Sequence, residues 1–132
     1  KLNKDLPKLI EENLISVEKN WPENLSKGII HADLFKDNII FDKNKVNGII
    51  DFTFSCNEFY AFEIAICFNA LCFDGHKNNL SFNVTKAKNF IDGYSSVRKI
   101  SDEEKDKIKT VNSIIFLCLI LWELFEFLIP LF

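Results

Sequence analysis

The sequence predicts an α+β fold, mainly helical, in which a small β-hairpin is enclosed by about four helices. Three observations lead there. Apolar residues recur at helical spacing towards both ends of the chain. Short runs rich in β-branched and aromatic residues are confined to the stretch between Gly28 and Phe52. Glycine and proline are scarce, four and three residues, which leaves little room for long flexible linkers. With 132 residues, 48 % of them apolar and 27 % charged, the chain is expected to form one domain, residues 1–132, around a real core.

Taken in order, the first element is a helix with Leu6, Leu9, Ile10, Leu14 and Val17 as a buried stripe, Asp5 as N-cap, Pro7 in its first turn and Pro22 closing it. Strand-like runs follow at Gly28–Ile30, Ile39–Asp42 and Val46–Phe52, the last two joined through the polar turn Lys43-Asn44-Lys45 as a hairpin. Residues 31–38 form a loop held between strands, a common way of building a site. From Glu58 the segment EFYAFEIAICFNALCF is apolar almost all round and predicts a helix buried on most sides. Ser81 or Asn83 can cap another helix, which reaches about Asp92 and stops at Gly93. Ser101-Asp-Glu-Glu104 fits a capping box opening a long last helix, whose mixed-charge start through Lys109 reads as a solvated face.

Several function classes are set aside by composition. A net charge of −3 argues against a nucleic-acid partner, which needs clustered positive charge. No basic stretch followed by an apolar segment marks a signal peptide. The apolar tail, Ile114 to Phe132, is interrupted by Glu123 and Glu126 and reads as a buried core helix rather than a membrane span. Cys56, Cys67, Cys72 and Cys118 lack the spacing of a zinc site and read as reduced thiols in a cytoplasmic protein.

The chemistry-bearing feature is His31-Ala-Asp33-Leu-Phe-Lys-Asp37-Asn38, an H-x-D-x-x-x-x-N loop, followed after the hairpin by Asp51 at the end of Gly48-Ile-Ile-Asp51-Phe52. Phosphoryl transfer from a nucleotide accounts for these residue types. An acceptor hydroxyl needs a carboxylate to orient it and take its proton, which suits Asp33 as catalytic base. Magnesium prefers oxygen ligands, and the Asn38 amide with the Asp51 carboxylate would supply them, so both are expected to bind metal and nucleotide. His31 is expected to orient the loop by hydrogen bonding, whereas Asp37 reads as a surface turn residue.

The segment GIIHADLFKDNIIF resembles the catalytic loop of the aminoglycoside phosphotransferase and choline kinase superfamily, with Ala32 where that loop usually has glycine. HADLF-x-DN, IIDF-x-F-x-C, A-x-E-I-A-I-C-x-N-A-x-C-F and FIDGYSSVRKIS are similar, in order, to its homoserine kinase branch, between about Trp21 and Lys105. The resemblance implies the C-terminal lobe of a protein-kinase-like fold, with the hairpin carrying the catalytic loop. It also implies ATP and Mg2+ as cofactors, the L-homoserine hydroxyl as acceptor, Asp33 as base, and Asn38 and Asp51 as metal ligands. Glu63, where the branch commonly has Asp, is expected to brace the loop from a buried helix. Choline, an aminoglycoside or a sugar are alternative acceptors, and a non-catalytic split-gene remnant is a further reading. The four glycines are too dispersed for a phosphate-covering loop, so the N-terminal nucleotide-binding lobe is expected to be missing and the chain inactive alone. The last helix also lacks the arginines of the branch, with Cys118 and Glu123 near their expected places.

Overall fold

The computed structural model describes residues 6–75, 79–108 and 110–112. Helix α1, Leu6–Asn20, forms as its periodicity predicts, with Pro7 in the first turn and Pro22 buried just beyond the end. The proposed Asp5 cap lies outside the described residues. Of the expected buried stripe, Leu14 is 53 % exposed and Ile10 and Val17 are half-buried, while the side chains of Leu6 and Leu9 lie outside what the structure describes.

The chain then builds two small antiparallel sheets. Strand β1, Lys27–Ile30, leads into the loop, which ends in a 3-10 turn at Lys36–Asn38. Strands β2, Ile39–Asp42, and β3, Lys45–Ile49, form the predicted hairpin. Lys43 and Asn44 both take left-handed backbone, φ 45° and 67°, as the two central residues of a turn matched to strand twist. The third strand is shorter than the expected Val46–Phe52. Asp51 has φ 60°, and its side chain accepts from Thr53 N, which starts a 3-10 turn at Phe52–Phe54. Strand β4, Cys56–Phe59, was not foreseen; it pairs with β1, Ile30 opposite Cys56 and Lys27 opposite Phe59. The next helix therefore begins at Tyr60 rather than at Glu58.

That helix, α2, Tyr60–Leu71, is the centre of the molecule, as its all-round apolarity predicts. Ala61, Ile64, Ala65, Ile66 and Cys67 are buried. One end packs with Leu25, Phe59, Ile100 and Ile108, while Ala65 and Ile66 pack with Val111 against Ala32 and Phe35 of the loop. Burying a side chain such as Ile64, which retains no exposure, contributes about 1.5–3 kcal/mol. The loop is thus laid directly on the buried Ala65, Ile66 and Val111.

Two-residue strands β5, Phe73–Asp74, and β6, Ser81–Phe82, pair before α3, Val84–Val97. Asn83 caps α3, its Oδ1 accepting from Lys86 N at 2.9 Å. The helix does not stop at Gly93. That residue faces open space, while Phe90, Ile91 and Tyr94 continue to pack on the core, which outweighs the ~1 kcal/mol disadvantage of glycine in a helix. Backbone at 102–108 and 110–112 is helical again, opened by the expected capping box: Ser101 Oγ accepts from Glu104 N at 3.1 Å and Glu104 Oε2 from Ser101 N at 2.9 Å. The solvated-face reading fails at Glu104, which is only 2 % exposed because Arg98 Nη2 donates to its Oε1 at 2.6 Å. The apolar tail, Ile114 to Phe132, with Cys118 and Glu123, lies outside the described residues. Among the described residues no helix is long and apolar enough to cross a membrane, and Cys56, Cys67 and Cys72 are free thiols.

Candidate functional site

The site lies where β1 ends, the loop crosses α2, and β3 hands over to the turn at Asp51. His31 ties these parts together. It is buried, and its Nε2 lies 2.8 Å from Ile50 O while its Nδ1 lies 3.3 Å from Asp33 N. A carbonyl can only accept and an amide N–H can only donate, so this pair of contacts fits the neutral tautomer with the proton on Nε2. The ring also packs on Phe52 at 4.8 Å, and Ser55 Oγ donates to His31 O at 3.5 Å.

Asp33 and Asn38 are joined directly. Asn38 Nδ2 donates to Asp33 O at 2.8 Å and to Asp33 Oδ2 at 3.2 Å. Both bonds use the Asn38 amide nitrogen, and Oδ1 makes none to Asp33. The backbone brings Asp51 to the same place, since Ile50 N donates to Asn38 O at 3.0 Å, extending the hairpin ladder by one step. Asp51 itself is exposed. Its Oδ1 accepts from the Thr53 hydroxyl at 2.6 Å and from Thr53 N at 3.4 Å. These two bonds from Thr53 hold the Asp51 carboxyl below the ordinary carboxylate range.

Ala32 takes φ 64°, a left-handed conformation costly for any residue with a Cβ. Its N–H donates to Glu63 Oε2 at 2.8 Å, so a carboxylate from α2 holds the strained peptide against the helix. Ala32→Gly is expected to raise stability by up to about 1 kcal/mol, the relief of strain slightly exceeding the extra freedom glycine gives the unfolded chain. Chemical denaturation checks this; a clear loss of stability would contradict it. Asp37, by contrast, is exposed in the 3-10 turn.

Sequence reasoning passed over Thr53, Ser55 and Cys67, all of which touch the site. Thr53 had a readable signal, because Asp-x-Thr favours a turn in which the Asp side chain accepts from the residue two further on. Cys67 Sγ lies 4.0 Å from Glu63 Oε1, a contact set by helical i,i+4 spacing.

Among the described residues, neither Asn38 Oδ1 nor Asp51 Oδ2 has a hydrogen-bond partner. An amide oxygen and an ionised carboxylate oxygen are the hard donors that a magnesium ion takes, with the rest of its shell filled by phosphate and water. Among the described residues no group of three or more His, Cys, Asp or Glu side chains could hold a metal ion. The donor set fits a cation delivered with a phosphate ligand.

Residues 1–98 match the phosphotransferase enzyme family (APH), and the chain belongs to that family. Among curated proteins it is similar to a homoserine kinase of Mesorhizobium japonicum, 48 % identical over 96 residues, covering 73 % of this chain and 29 % of the relative. A homoserine kinase of Bradyrhizobium diazoefficiens is 54 % identical over 85 residues, 64 % of this chain and 25 % of the relative. One of Bartonella tribocorum is 43 % identical over 107 residues, 81 % of this chain and 33 % of the relative. The chain thus spans about a quarter to a third of the length of these relatives.

Proposed function

We propose that these residues form the catalytic-loop part of an ATP-dependent phosphotransferase that phosphorylates the hydroxyl of L-homoserine to O-phospho-L-homoserine, a step of threonine biosynthesis. The observation that carries the chemistry is the hydrogen-bonded pair of Asp33 and Asn38 with Asp51 one residue beyond the Ile50–Asn38 backbone bond. The choice of acceptor is supported by the homoserine kinases to which the chain is similar.

In this reading Asp33 is the base. Asn38 occupies one carboxylate oxygen of Asp33 and fixes its plane, which leaves Oδ1 to accept the hydrogen bond of the incoming hydroxyl. Asn38 Oδ1 and Asp51 Oδ2 would hold the magnesium ion. That ion, when bound with ATP, offsets the charge on the transferring phosphoryl group. Thr53 keeps Asp51 ionised and fixed for this task. His31 and Glu63 hold the loop shape from below, one through Ile50 O and the other through Ala32 N.

The sequence carries only four dispersed glycines, so no phosphate-covering loop lies within it. We place that clamp, and the nucleotide-binding lobe, in polypeptide outside these residues, and expect the chain alone to turn over little or nothing. A C-terminal lobe of protein-kinase-like fold is the corresponding domain assignment. A reducing, cytoplasmic setting accords with the free thiols of Cys56, Cys67 and Cys72.

The test is nucleotide consumption by the complete polypeptide with ATP and magnesium, offered L-homoserine, choline, an aminoglycoside and a sugar in parallel. ADP release with homoserine alone is expected. Preference for another alcohol would move the acceptor, and no turnover with any of them would favour a non-catalytic remnant.

A further inference from the structure

Glu63 is the contact between the central helix and the strained peptide of the loop, and only one of its two carboxylate oxygens is used by that contact. Oε2 accepts the Ala32 N–H at 2.8 Å. The other, Oε1, lies 4.0 Å from Cys67 Sγ, one helical turn further along α2. Cys67 is 1 % exposed, and among the described residues its sulfur has no other hydrogen-bond partner. A glutamate has one more rotatable bond than an aspartate, so a carboxylate at the end of this longer arm needs a second fixed point if Oε2 is to stay on Ala32.

We infer that Cys67 is a positioning residue for the 31–38 loop: its thiol donates to Glu63 Oε1 and locks the carboxylate in the rotamer that holds Ala32 in left-handed backbone. Three features of the site support this. The two partners of Glu63 lie on its two separate oxygens, so they do not compete. The thiol stays protonated and able to donate, because burial first and the neighbouring Glu63 charge second push its titration far above the usual thiol range. The buried faces of Ala65 and Ile66 beside it pack directly on Ala32 and Phe35, so a shift of the carboxylate is felt by the loop rather than absorbed by solvent. The role concerns loop geometry and rests on the phosphotransferase reading only for its consequence in turnover.

The experiment reads the loop, not the reaction. Backbone amide hydrogen exchange in the complete polypeptide is followed at Ala32, with the Ile64 amide of the core as internal reference, in wild type, Cys67→Ala and Cys67→Ser. Cys67→Ala is expected to speed exchange at Ala32 by about three- to tenfold relative to Ile64, the loss of one weak hydrogen bond. Cys67→Ser, which retains a donor on a shorter arm, should restore part of the protection. An unchanged Ala32-to-Ile64 ratio in Cys67→Ala, or a serine variant that behaves like the alanine one, overturns the proposal. Should Cys67→Ala not fold, the wild-type chain and Glu63→Gln still decide it through the S–H stretching band. The Cys67 band is expected at lower frequency than that of Cys72 and should rise in Glu63→Gln. A Cys67 band that does not respond to Glu63→Gln overturns the proposal equally.

Discussion

Asp33→Asn, placed in the complete polypeptide, is expected to lower kcat by about 10²–10⁴-fold, the range for loss of a positioned general base. The substitution is nearly isosteric, and Asn38 Nδ2 can still donate to the new amide oxygen and to the residue 33 carbonyl, so the loop should persist. The effect should therefore fall on turnover with little change in KM for ATP, and thermal unfolding should stay within a degree or two of wild type. An unchanged kcat would remove Asp33 as the base. A matching fall in stability would instead make Asp33 a structural residue.

The second large effect lies away from the site. Arg98→Ala is expected to cost about 3 kcal/mol at neutral pH, because it leaves Glu104 charged and buried with only the Ser101 bonds. The guanidinium also covers the Tyr60 ring at 4.4 Å and the Tyr94 ring at 5.9 Å, so packing is lost as well. Tyr60 in turn fills the space where a side chain at Gly28 would sit, which links this ion pair to β1 and hence to the start of the loop. The pH dependence has a definite sign. In the wild type, burial pushes the Glu104 carboxyl up, but the bonds from Arg98 and Ser101 outweigh it and hold it below its ordinary value. Its contribution is therefore complete above the unfolded pKa, near 4.3, and is lost as pH falls through the folded one. Without Arg98, only the Ser101 bonds oppose burial, so the folded-state pKa of Glu104 rises above its wild-type value. The difference between wild type and Arg98→Ala should thus shrink as pH is lowered towards 4, and Glu104→Gln in the Arg98→Ala background should recover part of the loss at pH 7. A deficit independent of pH and untouched by Glu104→Gln would assign the effect to packing alone.

Much of the arrangement could be read from local pattern. The hairpin, the buried α2, the Asn83 cap and the Ser101–Glu104 box are all decided within a few residues, where propensity and capping chemistry act. What escaped depends on partners distant in sequence. Cys56–Phe59 has no strand signature of its own and becomes a strand because β1 offers it an edge. Glu104 sits in a run of charges and is buried only because Arg98 reaches it. The failure at Phe52 has a different origin: the apolar run continues, but the left-handed Asp51 ends the strand in the middle of it. At the site, Asp33, Asn38 and Asp51 were singled out by the H-x-D-x-x-x-x-N spacing and an Asp placed just after the hairpin, all within one short stretch of sequence. Thr53 and Cys67 were not, because each acts by holding another side chain, and such support is visible only in space.

The arrangement of Asn38 and Asp51 around a shared cation can be tested by adding Mn2+ with ATP to the isotope-labelled complete polypeptide and following paramagnetic broadening of the backbone amides. Resonances at Asn38, Asp51 and Asp33 should broaden first and together, and Asp51→Ala should abolish the effect at all three. Broadening centred elsewhere, with Asn38 and Asp51 still sharp, would mean that these oxygens do not share a metal.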